Sequence, residues 1–89
     1  MTRELKFKAK VRKSLEGIYP KELSVTDEVV TDIFEITLKL LRSNTEFMYG
    51  FTTYPYDIGN GYIININHDL SDNSVMYGLS SKNGILKVG

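Results

Sequence analysis

The 89-residue sequence contains no cysteine and only one histidine. Without cysteine the chain has no disulfide bond, no thiolate nucleophile and no cysteine-ligated zinc or iron–sulfur cluster. No apolar run approaches the about 18 residues that span a bilayer, and the N-terminus lacks the apolar region of a signal peptide. We therefore expect a cytoplasmic protein with no membrane partner and no cofactor.

The composition is typical of a globular protein, with 42% hydrophobic and 25% charged residues. A chain of this length has enough core for one domain, so we predict a single α+β domain over residues 1–89. A small domain without disulfides is stabilised by packing or by association with another chain.

The charges are sorted along the chain, although the formal net charge is zero. Residues 1–13 hold six basic side chains against one acid, and residues 14–35 hold six acids against one base. Such asymmetry indicates either a binding face or mutual compensation between neighbouring elements.

The stretch LKFKAKVRK, residues 5–13, alternates apolar and basic residues. Period-two alternation predicts a half-buried strand, with Leu5, Phe7, Ala9 and Val11 facing inward. Three interpretations of the outward side chains stay open: a solvated or aggregation-resistant edge, a nucleic-acid contact, or a contact with an acidic protein. The predicted basic face consists of Lys6, Lys8, Lys10 and Arg12.

A long helix is predicted from about Thr26 to Ser43, with Ser24 as a cap-like residue and Asn44 at its end. Its acids crowd the first turns, as the helix dipole favours. The apolar arc covers more than half of the circumference, so either a curved sheet or a second chain must cover it. The candidate dimer contacts are Val30, Phe34, Leu38 and Leu41.

The remainder predicts an antiparallel meander with strands at 46–54, 62–67, 75–81 and 85–88. Asn60-Gly61 and Asn83-Gly84 are predicted as hairpin turns. The predicted inward residues are Tyr62, Ile64, Ile66, Val75, Tyr77, Leu79, Leu86 and Val88. The predicted open face carries Met48, Thr52, Tyr54, Asn65, Asn67, Met76, Ser80 and Lys87.

The predicted order, β-α-β-β-β-β, places one long helix on an antiparallel sheet of about five strands. This order resembles the cystatin-like architecture in shape alone. The loops YPYDIGNG and SSKNG lack the cystatin inhibitor motifs, so the resemblance implies no protease inhibition.

Several polar clusters are candidate sites. His68 has Asp69, Ser71, Asp72 and Ser74 nearby, but this composition is ordinary for a turn. The same loop lacks the glycine and the final glutamate of a calcium loop, and GNG at 59–61 precedes no helix for phosphate binding. The acids Glu28, Asp32 and Glu35 share a helical strip that we interpret as solvated, with Lys39 paired to Glu35, or as a surface for a basic partner.

Tyrosines concentrate around the first predicted turn, where they either anchor a protein interface or cover the core. The predicted aromatic loop consists of these three tyrosines, Tyr54, Tyr56 and Tyr62, together with Ile58. Because no catalytic constellation is present, we predict a non-enzymatic binding module that acts by protein–protein contact as a regulator, inhibitor or adaptor. We expect it to form a homodimer, because the long helix carries more apolar surface than one small sheet covers. The alternative is a nucleic-acid or nucleotide-ligand binder that uses the basic face.

Overall fold

The computed structural model describes residues 2–44 and 49–81 and is α+β. Within these residues two helices precede a three-stranded antiparallel sheet of order β1-β2-β3. The elements are α1 (Arg3–Glu16), α2 (Asp27–Ser43), β1 (Phe51–Gly59), β2 (Tyr62–Asp69) and β3 (Ser74–Ser81).

The predicted first strand is wrong, because residues 5–13 lie inside helix α1. Thr2 caps the helix, its Oγ1 accepting a hydrogen bond from the Leu5 amide at 3.2 Å. Val11 and Leu15 are buried at helical spacing, whereas Leu5 is 54% exposed. Lys, Arg, Leu, Glu and Ala all have good helix propensity, and the burial of apolar side chains four residues apart outweighs the alternation.

The predicted second element is confirmed as α2. Thr26, rather than Ser24, is the N-cap, and its Oγ1 accepts from the Val29 amide at 3.2 Å. Asp27 and Glu28 lie in the first turn and Asn44 is the C-cap, so the helix begins and ends close to the predicted residues.

The two helices form an antiparallel pair. The rings of Phe7 and Phe34 meet edge to face with centroids 5.3 Å apart. At the other end Arg12 donates from Nη1 to the Val25 carbonyl at 2.9 Å and forms an ion pair with Asp27. The wide apolar arc of α2 is therefore covered in part by α1 of the same chain. The sequence pattern predicted a curved sheet or a second chain in this place.

The sheet confirms the predicted inward faces of β2 and β3. Ile64 and Ile66 are fully buried, and the β3 side chains opposite them pack against the same core. The turn between β1 and β2 has positive φ at Asn60 (56°) and Gly61 (83°), as the predicted hairpin requires.

Strand β1 begins at Phe51 and continues to Gly59, so the strand predicted at 46–54 is wrong for Tyr49 and Gly50 and ends too early, and its residues 46–48 lie outside the described residues. The predicted strand at 85–88, the turn at 83–84 and the residues Met48, Leu86, Lys87 and Val88 lie outside the described residues. The cystatin-like order is wrong, because two helices come before the strands and the described sheet has three of them.

Candidate binding surface

One side of α1 carries a row of four exposed cations, which we call the basic flank. At about 100° per residue, spacings of three and four residues bring side chains onto one helical face. The row extends over about 15 Å at 1.5 Å per residue. None of the four forms a salt bridge with another described residue. The basic flank consists of Arg3, Lys6, Lys10 and Lys13.

The helix divides the basic face that alternation predicted. Lys8 turns to the other side of α1, where its Nζ lies 3.7 Å from Glu4 and 5.3 Å from the ring centroid of Phe34. Arg12 joins the two helices, as described above. Lys6 and Lys10 remain on one face together with Arg3 and Lys13, which the alternation pattern does not select. Projecting the same residues onto a helix, at about 100° per residue, would have grouped the four cations of the basic flank.

The basic flank lies beside β3. Lys10 and Ser14 line a groove of about 210 Å³ together with Val75 and Tyr77 of β3. A neighbouring groove of about 360 Å³ is bounded by three of the flank cations and by the Phe7 ring. The flank therefore combines positive charge with a small apolar floor.

A second charged row lies on the exposed side of α2, and we call it the acidic flank. It consists of Glu28, Asp32 and Glu35. Asp32 and Glu35 line a groove of about 180 Å³ with Tyr54 and Tyr56 of β1. The predicted Glu35–Lys39 pair is not among the salt bridges of the described residues, so the strip keeps its negative charge.

Tyr56 fixes the acidic flank to the sheet. Its hydroxyl donates to Asp32 Oδ2 at 2.5 Å. Burial raises the pKa of Tyr56 far above the usual range, and the hydrogen bond to Asp32 and the charges of Asp32 and Glu28 add to the effect. A phenol that donates to a carboxylate is held protonated, so this contact is structural.

Replacing Tyr56 by phenylalanine removes that hydrogen bond. Because the acceptor is charged, we expect a loss of about 1.5–3 kcal/mol of unfolding free energy. The folded-state pKa lies above the unfolded value, so the contribution of Tyr56 is complete below about pH 10 and is lost as pH rises beyond it. Urea unfolding at pH 7 and at pH 10.5 checks both points: Tyr56→Phe is less stable at pH 7 and loses less on going to pH 10.5. Equal losses in both proteins would contradict the assignment.

The other residues of the predicted aromatic loop lie in strands. Tyr54 is 48% exposed and borders a groove of about 410 Å³ that reaches His68. Ile58 packs against the core at the register shift between Asp57 and Gly59. Tyr62 donates to Glu22 Oε2 at 3.1 Å, and this bond raises the pKa of Tyr62. The cluster thus connects the sheet to α2 through Tyr56 and to the connection between the helices through Tyr62, and it leaves Tyr54 as its exposed member.

The open face of the sheet is polar at its centre. Thr53 donates to Asn67 Oδ1 and Asn65 donates to Ser80 Oγ, each at 2.9 Å, and Met76 is 71% exposed. Asn65, Asn67, Met76 and Ser80 lie on this face as predicted. Thr52 and Tyr54 do not, because they pair opposite His68 and Ile66 and share the helix-facing side.

His68 is 1% exposed and holds the turn between β2 and β3. Its Nε2 lies 2.6 Å from Asn73 Oδ1, and Asn73 donates through Nδ2 to the Leu41 carbonyl at 3.3 Å. The nearby hydroxyls are engaged by loop carboxylates: Ser71 donates to Asp69 and Ser74 to Asp72, each at 2.7 Å. The bonds from Ser71 lower the pKa of Asp69. These contacts build the turn between β2 and β3.

The described residues contain no group of three or more His, Asp or Glu side chains placed to hold a metal ion. Of the helices in this part of the chain, none is long and apolar enough to cross a membrane. Comparison of the chain with protein-family models, with curated proteins and with solved structures gave no match.

Proposed function

We propose that this protein is a non-enzymatic binding module that acts by contact with another protein through its basic flank. The observation that carries the proposal is the row of four exposed cations without a salt-bridge partner in the described residues. Cations that are solvated on one helical face attract an anionic surface at little cost in desolvation. The partner surface is therefore acidic.

An acidic protein fits the charge distribution better than a nucleic acid does. The chain has a formal net charge of zero, and its acidic flank lies on the same molecule as the basic flank. Charges are screened over about 8–10 Å at physiological ionic strength, so a short acidic patch senses the basic flank alone. A nucleic acid is typically bound by a domain with net positive charge, which this chain does not have.

The direct test compares Lys10→Glu with Lys21→Glu, which make the same change in net charge at exposed positions. The probe is a fluorescein-labelled peptide of ten alternating glutamate and serine residues, and binding is measured by fluorescence anisotropy at low salt. We expect Lys10→Glu to weaken binding about tenfold, or about 1.4 kcal/mol, and Lys21→Glu to leave it almost unchanged. Equal effects of the two substitutions would show that net charge, and no particular surface, governs the binding.

Nucleic acid is the second candidate, because one helical face presents four exposed cations in a row, and such cations bind phosphates. The same assay with a single-stranded DNA of ten nucleotides distinguishes the two. Contact of the four cations with phosphates would give a salt slope of about −3. The nucleic-acid function would replace the protein-contact proposal if three results came together: tight DNA binding with that salt slope, loss of this binding in Lys10→Glu, and weak binding of the peptide.

A further inference from the structure

We propose that a second copy of this chain is a partner of the basic flank, and that it contributes its acidic flank, so that copies associate head to tail. The inference rests on the proposed function, since it names the acidic partner of the same surface. Three observations carry it: the position of the two flanks in the fold, their alignment along the helices, and the charges they leave without a salt bridge.

The two flanks lie at opposite edges of the part of the fold that the structure describes. The basic flank borders β3 through the groove that Lys10 shares with Tyr77. The acidic flank borders β1 through the groove that Glu35 shares with Tyr54. Since β1 and β3 are the outer strands of the described sheet, the flanks point in opposite directions along the strand order. A second copy displaced sideways in that direction brings its acidic flank against the basic flank of the first.

The charges of the two flanks also lie at matching heights, that is, at matching positions along the axes of the antiparallel helices. Phe7 contacts Phe34 and Arg12 contacts Asp27, and these contacts fix the relative height of the antiparallel helices. At 1.5 Å per residue, Lys6 is then level with Glu35 and Lys13 with Glu28. A sideways displacement keeps these heights, so Lys6 and Lys13 of one copy each meet an acid of the next.

The middle of the contact follows the same pattern. Lys10 falls between the two outer pairs, nearest Asp32, whose carboxylate already accepts from Tyr56. Lys39 lies one turn beyond Glu35, at the height of the start of α1, where it would face Arg3. The assigned contact therefore consists of Lys6, Lys10 and Lys13 against Glu28, Asp32 and Glu35.

Neither outer pair is neutralised within the chain. Lys6, Lys13, Glu28 and Glu35 are exposed and form no salt bridge with another described residue. Because the two surfaces differ, the contact is heterologous, and each added copy leaves one basic and one acidic flank free. Association thus proceeds beyond two copies to rings or chains, and it weakens with salt.

The test exchanges the charges of the two flanks in separate variants of the full chain. One variant carries Lys6→Glu with Lys13→Glu, which removes the net positive charge of the basic flank and places a carboxylate at each of its outer contacts. The other carries Glu28→Lys with Glu35→Lys and presents two basic flanks. All four positions are exposed, so both variants should fold, which circular dichroism checks. Sedimentation velocity over a range of concentrations then reports the mass of each protein alone and of their equimolar mixture.

At low ionic strength we expect the unsubstituted protein to gain mass with concentration and to return to a monomer at 0.5 M salt, where charges are screened beyond about 4 Å. Each variant alone should remain monomeric, with at least a tenfold weaker association, and the mixture should assemble. Complementation in the mixture is specific when an equimolar pair with the same net charges, −4 and +4, but with its substitutions at exposed residues outside both flanks, stays monomeric, because oppositely charged proteins also attract one another without a defined contact.

Two outcomes would overturn the inference: an unsubstituted protein that stays monomeric up to millimolar concentration, or a dimer that resists salt and persists in both variants. Binding of the acidic peptide separates this inference from the proposed function. A monomer that still binds the peptide, with Lys10→Glu defective, removes self-association and keeps the basic flank as a site for a different acidic protein. A monomer that binds no peptide removes both.

Discussion

Replacing Ala9 by proline is expected to destabilise the protein by about 3 kcal/mol or more, because proline in a helix interior removes one backbone hydrogen bond and clashes with the preceding turn. Ala9 is exposed and lies in the middle of α1, so no loss of core packing contributes to the effect. Urea unfolding followed by circular dichroism at 222 nm measures both the free energy and the loss of helix. The expected loss is a large fraction of the about 4–13 kcal/mol typical for a chain of this length.

Ala9→Lys is the matched control for this substitution. On the helix its side chain points to solvent, and the unfolding free energy should change by less than about 0.5 kcal/mol. On the strand predicted from alternation, Ala9 faces the core, so lysine would be strongly destabilising while proline at an edge would be tolerated. A larger loss of unfolding free energy for Ala9→Pro than for Ala9→Lys therefore indicates a helix at residues 5–13, and the reverse indicates a strand.

The N-terminal stretch shows why the hydrophobic periodicity of a short window can predict the wrong secondary structure. Leu5, Phe7 and Val11 satisfy a strand pattern over nine residues, and the pattern stops at Lys13. A helical pattern continues past that point, because Phe7, Val11 and Leu15 recur every four residues and all pack on the core. A window extended to Leu15 separates the two patterns, as does the scarcity of β-branched residues before residue 16.

The second helix and the central strand were predictable for physical reasons that act locally. Acids in the first turn and an asparagine at the end define α2 regardless of its partners. In β2, Ile64 and Ile66 alternate with Asn65, so one face must be buried. Strand β1 offered weaker signals: Pro55 disfavours a strand, yet it is accommodated because β1 is an outer strand of the described sheet.

The candidate surface was only half predictable, because it depends on the secondary structure of α1. The excess of bases in residues 1–13 is a property of the sequence, but the grouping of Lys6 and Lys10 with Arg3 and Lys13 exists only on a helix. Likewise, the wide apolar arc of α2 suggested a partner chain because α1 was assigned to the sheet. Once α1 is helical, Val30 and Phe34 are buried within the chain.

Truncating Phe34 to alanine tests that last point and is expected to have the largest effect on stability. The Phe34 side chain is 4% exposed, meets the Phe7 ring edge to face and has the Lys8 ammonium over its own ring. Deleting a buried aromatic ring removes its transfer free energy and leaves a cavity, so we expect a loss of about 3–5 kcal/mol in urea unfolding. Phe34→Leu keeps most of the volume and should cost less than about 1.5 kcal/mol.

Leu38→Ala is the control on the same side of α2, one turn further along, where the side chain is only half-buried. Because truncation there removes less buried apolar surface, it should be clearly milder than Phe34→Ala. Sedimentation of the folded Phe34→Leu variant completes the test, since a residue buried by α1 affects the unfolding free energy and leaves the mass unchanged. A variant that keeps its stability but halves in mass would instead make Phe34 a contact between subunits, with α1 displaced from it in the assembled protein.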